Sequence, residues 1–131
     1  TVVYSQESNG VTVINQPKVL QNNVLSASAS ADVVSLMEEY ESKRSPSANR
    51  EGFVLGGKTG TAQVPGSDGK YREDVFNTTF AGFLGTNKPK YVIVIRLNNG
   101  KANDNFSGFE DARPVYLGIV NGIMDTVPIS E

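Results

Sequence analysis

The sequence contains no cysteine and no histidine, which removes whole classes of chemistry before any pattern is sought. Ser-His-Asp triads, Cys-His dyads, zinc fingers and disulfide frameworks all need residues that are absent. Any catalysis must run on Lys, Ser, Thr, Tyr or carboxylates. A long hydrophobic run is also missing. The longest is Tyr91-Val92-Ile93-Val94-Ile95, against the ~20 apolar residues of a membrane-spanning helix, so no membrane contact by this segment is expected. No signal peptide is visible. Nor is there an excess of one charge: twelve basic and fourteen acidic residues give a net charge of -2. The basic residues scatter from Lys18 to Arg113 instead of forming a stripe, and a nucleic-acid surface is not expected.

What is present is ordinary globular material. At 131 residues, 38% hydrophobic and 20% charged, the chain fits one domain that buries about two thirds of its unfolded surface. It opens on the strand-like Thr1-Val2-Val3-Tyr4 without an initiator Met, which suggests a start within a longer gene product.

Along the chain, Val2 to Tyr4 and Val11 to Ile14 flank Asn9-Gly10, a strong hairpin-turn signal. Val33, Leu36, Met37 and Tyr40 recur at helical spacing behind Ser26-Ala27-Ser28, which predicts a serine-capped helix over roughly 27–42. The charged run from Ser42 to Glu51 reads as an exposed loop. Phe53 to Val64 reads as a strand, Pro65 to Gly69 as a turn, and the segment to Asn77 as a polar excursion. Thr78 to Leu84 and Tyr91 to Leu97 are two further strands, and short links make the three an antiparallel meander. After a loose loop from Asn98 to Asp111, Pro114 opens a last helix, early Pro being well tolerated there. Gly118 and Gly122 on that helix are expected to let a sheet backbone come close. The fold class is α+β, an antiparallel sheet flanked by helices.

Two readings compete for the most distinctive stretch. Gly52-Phe53-Val54-Leu55-Gly56-Gly57-Lys58-Thr59 fits the phosphate-loop pattern letter for letter. That motif needs a preceding strand, a flexible wrap of amides and a helix starting at the Lys. Here Phe, Val and Leu fill the loop positions, and the supposed helix would contain Gly60 and Pro65. Read instead as a strand, the glycines on both sides of Lys58-Thr59 strip one backbone edge of bulk, so that an extended ligand can pair with it. The Lys58 ammonium and the hydroxyls of Thr59 and Thr61 then suit a ligand carboxylate.

The longer string Gly56-Gly57-Lys58-Thr59-Gly60-Thr61-Ala62-Gln63 resembles the Lys-Thr-Gly strand of class B penicillin-binding proteins, the transpeptidases that cross-link peptidoglycan. Phe80-Ala81-Gly82-Phe83 is similar to the family's following strand, and Ala112-Arg113-Pro114-Val115-Tyr116 to its Ala-Ala-Pro-Val-Phe opening of the last helix. The resemblance covers nearly the whole chain. It implies that residues 1–131 are the C-terminal portion of a transpeptidase domain with the penicillin-binding protein and serine β-lactamase fold. The implied chemistry is attack by a serine on a D-Ala-D-Ala stem peptide, with an acyl-enzyme passed on to an amine; β-lactams trap that serine. Lys58 and Thr61 are the implied catalytic residues, Lys58 in proton movement and electrostatics, Thr61 through an amide at the oxyanion position. Thr59, Gly60 and Thr61 are the implied substrate-binding residues.

The family order is Ser-x-x-Lys, then Ser-x-Asn, then Lys-Thr-Gly. In this chain Ser67-Asp68-Gly69-Lys70 follows Lys58 and sits in a glycine turn, while Ser47-Ala48-Asn49 precedes it with only eight residues between Asn49 and Lys58. Both read as chance matches. The expected partners are therefore a stem peptide or β-lactam and the missing, nucleophile-bearing N-terminal part of the domain. No cofactor is expected, and the parent protein is expected to be anchored in the membrane and to work on its extracytoplasmic face, in cell-wall synthesis. The alternatives are a non-catalytic interaction module that keeps the fold, and a β-lactamase or carboxypeptidase on the same fold.

Other candidates have plainer readings. Glu38, Glu39 and Glu41 are expected to form a solvated helix face rather than a metal site. Tyr4, Tyr40, Tyr91 and Tyr116 are expected to be packing residues, with Tyr71 within reach of substrate. Asn77-Thr78-Thr79 and Asn105-Phe106-Ser107 fit the glycosylation pattern by chance.

Overall fold

The computed structural model describes residues 5–14, 16, 18–101 and 107–126. By contacts the chain divides into two units, Thr1–Ser30 and Ala31–Glu131. In the first, β1 (Ser5–Ser8) and β2 (Val11–Ile14) form an antiparallel hairpin in which Ser8 pairs with Val11. Asn9 and Gly10 both take positive φ, 52° and 74°, the twist that a two-residue hairpin turn requires. Val2, Val3 and Tyr4 lie outside the described residues. Ser26 caps the helix α1 (Ala27–Arg44), its Oγ accepting from the Ala29 amide at 3.1 Å, and from Ala31 onward this helix belongs to the second unit. The helix ends on Lys43 and Arg44, cations that suit its C-terminal dipole.

The second unit is built on a three-stranded antiparallel sheet in the order β3 (Val54–Pro65), β4 (Tyr71–Gly85), β5 (Pro89–Lys101). A short 3-10 turn, Pro46–Ala48, precedes β3, and a π turn, Gly108–Ala112, leads into the last helix, α2 (Arg113–Thr126). The register pairs Lys58 with Ala81 and Thr61 with Thr78. Alternation then assigns the two faces. Leu55, Phe80, Leu84, Ile93, Ile95 and Leu97 point to α2, where they close a core around the fully buried Tyr116 and Val120. The opposite face carries Gly56, Lys58, Phe83, Val92 and Val94. Here α1 touches the sheet at Gly56, where a Cβ would stand 2.8 Å from the backbone of Met37 and Glu38.

The meander, both helices and the serine cap stand as read from the sequence. Several boundaries do not. The segment from Tyr71 to Asn77 is no excursion: it is the first half of β4, paired to β3 from Pro65↔Tyr71 onward with one bulge after Gln63. The run from Ser42 to Glu51 is not a uniformly exposed loop, because α1 continues to Arg44 and Ser45 and Ala48 are buried. β5 likewise extends through Asn98 to Lys101. Gly118 and Gly122 face open space, and the close approach to the sheet occurs instead at Gly82, against the Tyr116 ring. Tyr116 packs as expected, whereas Tyr40 and Tyr91 are 45% and 43% exposed. Thr78, within the first glycosylation match, is fully buried in β4; Asn105 and Phe106 of the second lie outside the described residues.

These glycine environments yield opposite expectations. A Cβ at Gly82 would stand 2.5 Å from the Tyr116 ring and 2.9 Å from the Gly56 carbonyl oxygen. Gly82→Ala should therefore lower unfolding free energy by about 1–3 kcal/mol through overpacking. Gly118→Ala, in an open helix interior, should raise it by about 0.5–1 kcal/mol. Urea unfolding of the two variants checks both signs.

Candidate functional site

β3 pairs only with β4 among the described residues, so alternate backbone N–H and C=O groups along its outer side remain open to an added strand. Beside that edge lies a groove of about 340 Å³, lined by the Gly57–Thr59 segment on one side and by Val33, Leu36, Met37 and Tyr40 of α1 on the other. The apolar wall is the same helical stripe that the sequence displays, and much of it is uncovered: Val33 is 54% and Leu36 65% exposed. Gly57 keeps the strand thin at this point, because any Cβ there would strike the Phe80 ring.

Lys58 is exposed at the groove. Its Nζ donates to the Thr59 carbonyl at 2.8 Å and to Thr59 Oγ1 at 3.3 Å, so the ammonium curls toward the open edge. Thr59 and Gly60 are half-buried beside it. Thr61 is exposed, and its Oγ1 accepts from the Gly108 amide at 3.0 Å. That bond occupies one lone pair and leaves the hydroxyl proton free to donate. Lys58, Thr59, Gly60 and Thr61 thus follow one another along one accessible strand. The phosphate-loop reading fails on the backbone: Val54 to Thr59 are hydrogen-bonded strand, and no helix begins at Lys58.

The chance motifs occupy ordinary places. Ser67 to Lys70 form the β3–β4 turn, with Asp68 Oδ1 accepting from the Lys70 amide at 3.1 Å. Asn49 uses its side-chain amide to bond the Ser42 carbonyl at 3.0 Å, and Ser47 is exposed. Tyr71 is 67% exposed at the start of β4, paired with Pro65 rather than with the Lys58 segment.

Two features behind the edge escaped the sequence reading. Glu41 is not on a solvated face: it is fully buried and accepts from Arg113 Nε at 2.9 and 3.2 Å and from Arg113 Nη2 at 2.5 Å, while Arg113 Nη2 also bonds Ser45 Oγ. The guanidinium lies 4.6 Å from the centre of the Phe109 ring. Glu39 does conform, pairing with Lys43 in the open. The second is the hydroxyl of the expected packing residue Tyr116, which donates to the Phe83 carbonyl at 2.6 Å and lies 3.3 Å from that of Gly56, clamping β3 and β4 to α2. Burial, and then the Glu41 carboxylate, push this phenol above its ordinary range.

The chain matches the family model described as the penicillin binding protein transpeptidase domain over residues 2–125. It is 38% identical over 95 residues to the penicillin-binding protein PbpB of Mycobacterium tuberculosis, covering 70% of this chain and 14% of the relative. It is 33% identical over 119 residues to the stage V sporulation protein D of Bacillus subtilis, covering 89% of this chain and 18% of the relative. Among solved structures, penicillin binding protein 3 of Mycobacterium tuberculosis in its apo form aligns with a TM-score of 0.62 and 29% identity, over 98% of this chain and 31% of that one. The same protein complexed with aztreonam gives the same figures. This chain therefore spans less than a fifth of the curated relatives named here.

The buried phenol sets an alkaline expectation. Its folded pKa lies above the unfolded value of about 10, so its stabilisation is complete below that value and is lost as pH rises through the folded pKa, at about 1.4 kcal/mol per pH unit. Tyr116→Phe should cost about 1 kcal/mol at neutral pH. Urea unfolding at about pH 8 and pH 11 should show the variant losing less stability than wild type between them, narrowing the gap; an unchanged gap contradicts the assignment.

Proposed function

The chain belongs to the penicillin binding protein transpeptidase domain family, and from that premise we propose that it is the C-terminal portion of a class B D,D-transpeptidase domain, supplying the substrate-gripping strand. The observation that carries this reading is the open, glycine-thinned edge of β3 with Lys58 beside a groove, in a strand that continues into Thr59, Gly60 and Thr61. An acylated stem peptide adds to such an edge as a further strand, its carboxylate met by the Lys58 ammonium and the Thr59 and Thr61 hydroxyls. The Thr61 amide serves as one donor to the oxyanion. A β-lactam, with its own carboxylate and carbonyl, occupies the same groove.

The serine nucleophile and the Ser-x-Asn residues come, on this proposal, from the preceding part of the domain. The uncovered surface agrees with that: Val33 and Leu36 on α1, with Val92 and Val94 at 80% and 63% exposure on the same sheet face, await an apolar partner. The reaction is serine acylation with cleavage of the D-Ala-D-Ala bond and release of the terminal D-Ala, followed by transfer of the acyl group to an amine that frees the serine, in peptidoglycan cross-linking at the extracytoplasmic face of the bacterial membrane. Among the described residues no helix is long and apolar enough to cross a membrane.

A fluorescent penicillin tests the reading directly. The chain alone should take no covalent label, and the chain combined with the nucleophile-bearing segment should. In that assembly Lys58→Ala should slow labelling by about 100-fold or more, as for loss of a positioned proton-transfer group. An unaffected rate removes Lys58 from its role, and absence of label from the assembled domain sinks the transpeptidase reading.

A further inference from the structure

We propose that Arg113 is a positioning residue for the substrate edge, coupling the α1 wall of the groove to the hydroxyl of Thr61. This rests on the reading of the Lys58–Thr61 edge as the substrate site. Where the family resemblance has a small Ala, this chain places a guanidinium at the head of α2 and buries it at 6% exposure. Such a cation persists only when its partners are complete. Here they come from both sides of the site.

On one side, Arg113 grips Glu41 through two nitrogens and also bonds Ser45. Both acceptors sit at the C-terminal end of α1, and Glu41 lies one helical turn beyond Met37, which lines the groove and touches Gly56. Fixing Glu41 therefore fixes how far α1 stands from the Lys58 edge. A planar fork held bidentately defines orientation as well as distance, which a lysine ammonium does not.

On the other side, the Arg113 backbone N–H donates to the Gly108 carbonyl, closing the π turn. The guanidinium stacks over Phe109, the next residue. Ser107 and Asp111 brace the same turn reciprocally: the Ser107 amide donates to Asp111 Oδ2 at 2.9 Å, and the Asp111 amide to the Ser107 carbonyl at 3.0 Å. The turn presents Gly108 so tightly that a Cβ there would stand 2.6 Å from the carbonyl oxygens of Gly60 and Thr79. The Gly108 N–H then holds Thr61 Oγ1. Because that oxygen is already an acceptor on one side, the bond holds Oγ1 in place and restricts the directions in which the Thr61 proton can be offered. Arg113 thus reaches Lys58's helix wall through Glu41, and Thr61 through Gly108. Single π turns of this sort recur at functional sites.

Two variants test the coupling without leaving a buried charge alone. Glu41→Leu combined with Arg113→Met removes both ions at similar volume and should remain folded; Arg113→Lys keeps the charge and loses the fork. In the folded chain, hydrogen exchange of the Gly108 amide should accelerate about tenfold or more in either variant while the Ile93 and Ile95 amides keep their protection. In the assembled domain the concentration of fluorescent penicillin for half-maximal acylation rate should rise about tenfold, with the maximal rate within about twofold. In a Thr61→Val background Arg113→Lys should add much less to that rise, because no hydroxyl remains to be oriented. Unchanged Gly108 exchange in the folded variants overturns the proposal, as does a loss confined to the fraction of active molecules. If the wild-type assembly takes no label, the transpeptidase reading falls, and the exchange measurement alone then decides for or against the coupling.

Discussion

Backbone must approach backbone around β3, and that constraint organises the second unit. At Gly56 the α1 main chain sits where a Cβ would be, at Gly82 the Tyr116 ring does, and at Gly108 the carbonyls of Gly60 and Thr79 do. Each contact replaces a side chain with a neighbouring element. The strand bearing Lys58 is thereby held from both faces, while among the described residues no strand pairs with its outer edge. Glycine in a strand ordinarily weakens it; here the loss is offset by the Tyr116 hydroxyl, which ties the Phe83 carbonyl to α2, and by the ten-residue run of pairing from Val54 to Gln63.

How far the sequence revealed this depended on the range of the interaction. The hairpin at Asn9-Gly10, the Ser26 cap and the two helices follow from local chemistry, and all are present. The Lys58 strand was legible because glycine, Pro65 and β-branched residues argue locally against a helix. The first half of β4 was not. Tyr71 to Asn77 carries Arg, Glu and Asp with no apolar alternation, and it is a strand only because β3 runs alongside to pair with it. The role of Gly118 and Gly122 was misjudged for a related reason. Spacing places both on one helical face, but not on the face that meets the sheet, which α2 gives to Tyr116, Val120 and Met124.

The site divides the same way. Lys58, Thr59, Gly60 and Thr61 are contiguous in sequence, so their shared edge could be foreseen. Glu41 and Gly108 could not. Glu41 sits in an acidic run with Glu38 and Glu39, and nothing in that pattern separates the carboxylate that is fully buried from the half-buried Glu38 and from Glu39 in the open. A signal did exist in the other half of the pair: an Arg at the head of an apolar helix, where the resembling motif has Ala, is a charge in need of an acid. Pairing it correctly requires the fold that brings residues 41 and 113 together.

The contrast between the two readings of Gly52 to Thr59 shows why letters alone are insufficient. A phosphate loop and a substrate strand both use glycine to let backbone amides meet an anion, and both add a lysine. They differ in how the amides are arranged: converging on a point at a helix start, or spaced along a line at a sheet edge. A phosphate suits the first and an extended peptide carboxylate the second. In this chain Val54 to Thr59 are committed to β4 on one side, so convergence is impossible without breaking the sheet. The groove beside Gly57–Thr59 is walled by the apolar stripe of α1, and on the proposed reading the anion met there is one carried by an extended backbone rather than a compact, fully hydrated phosphate.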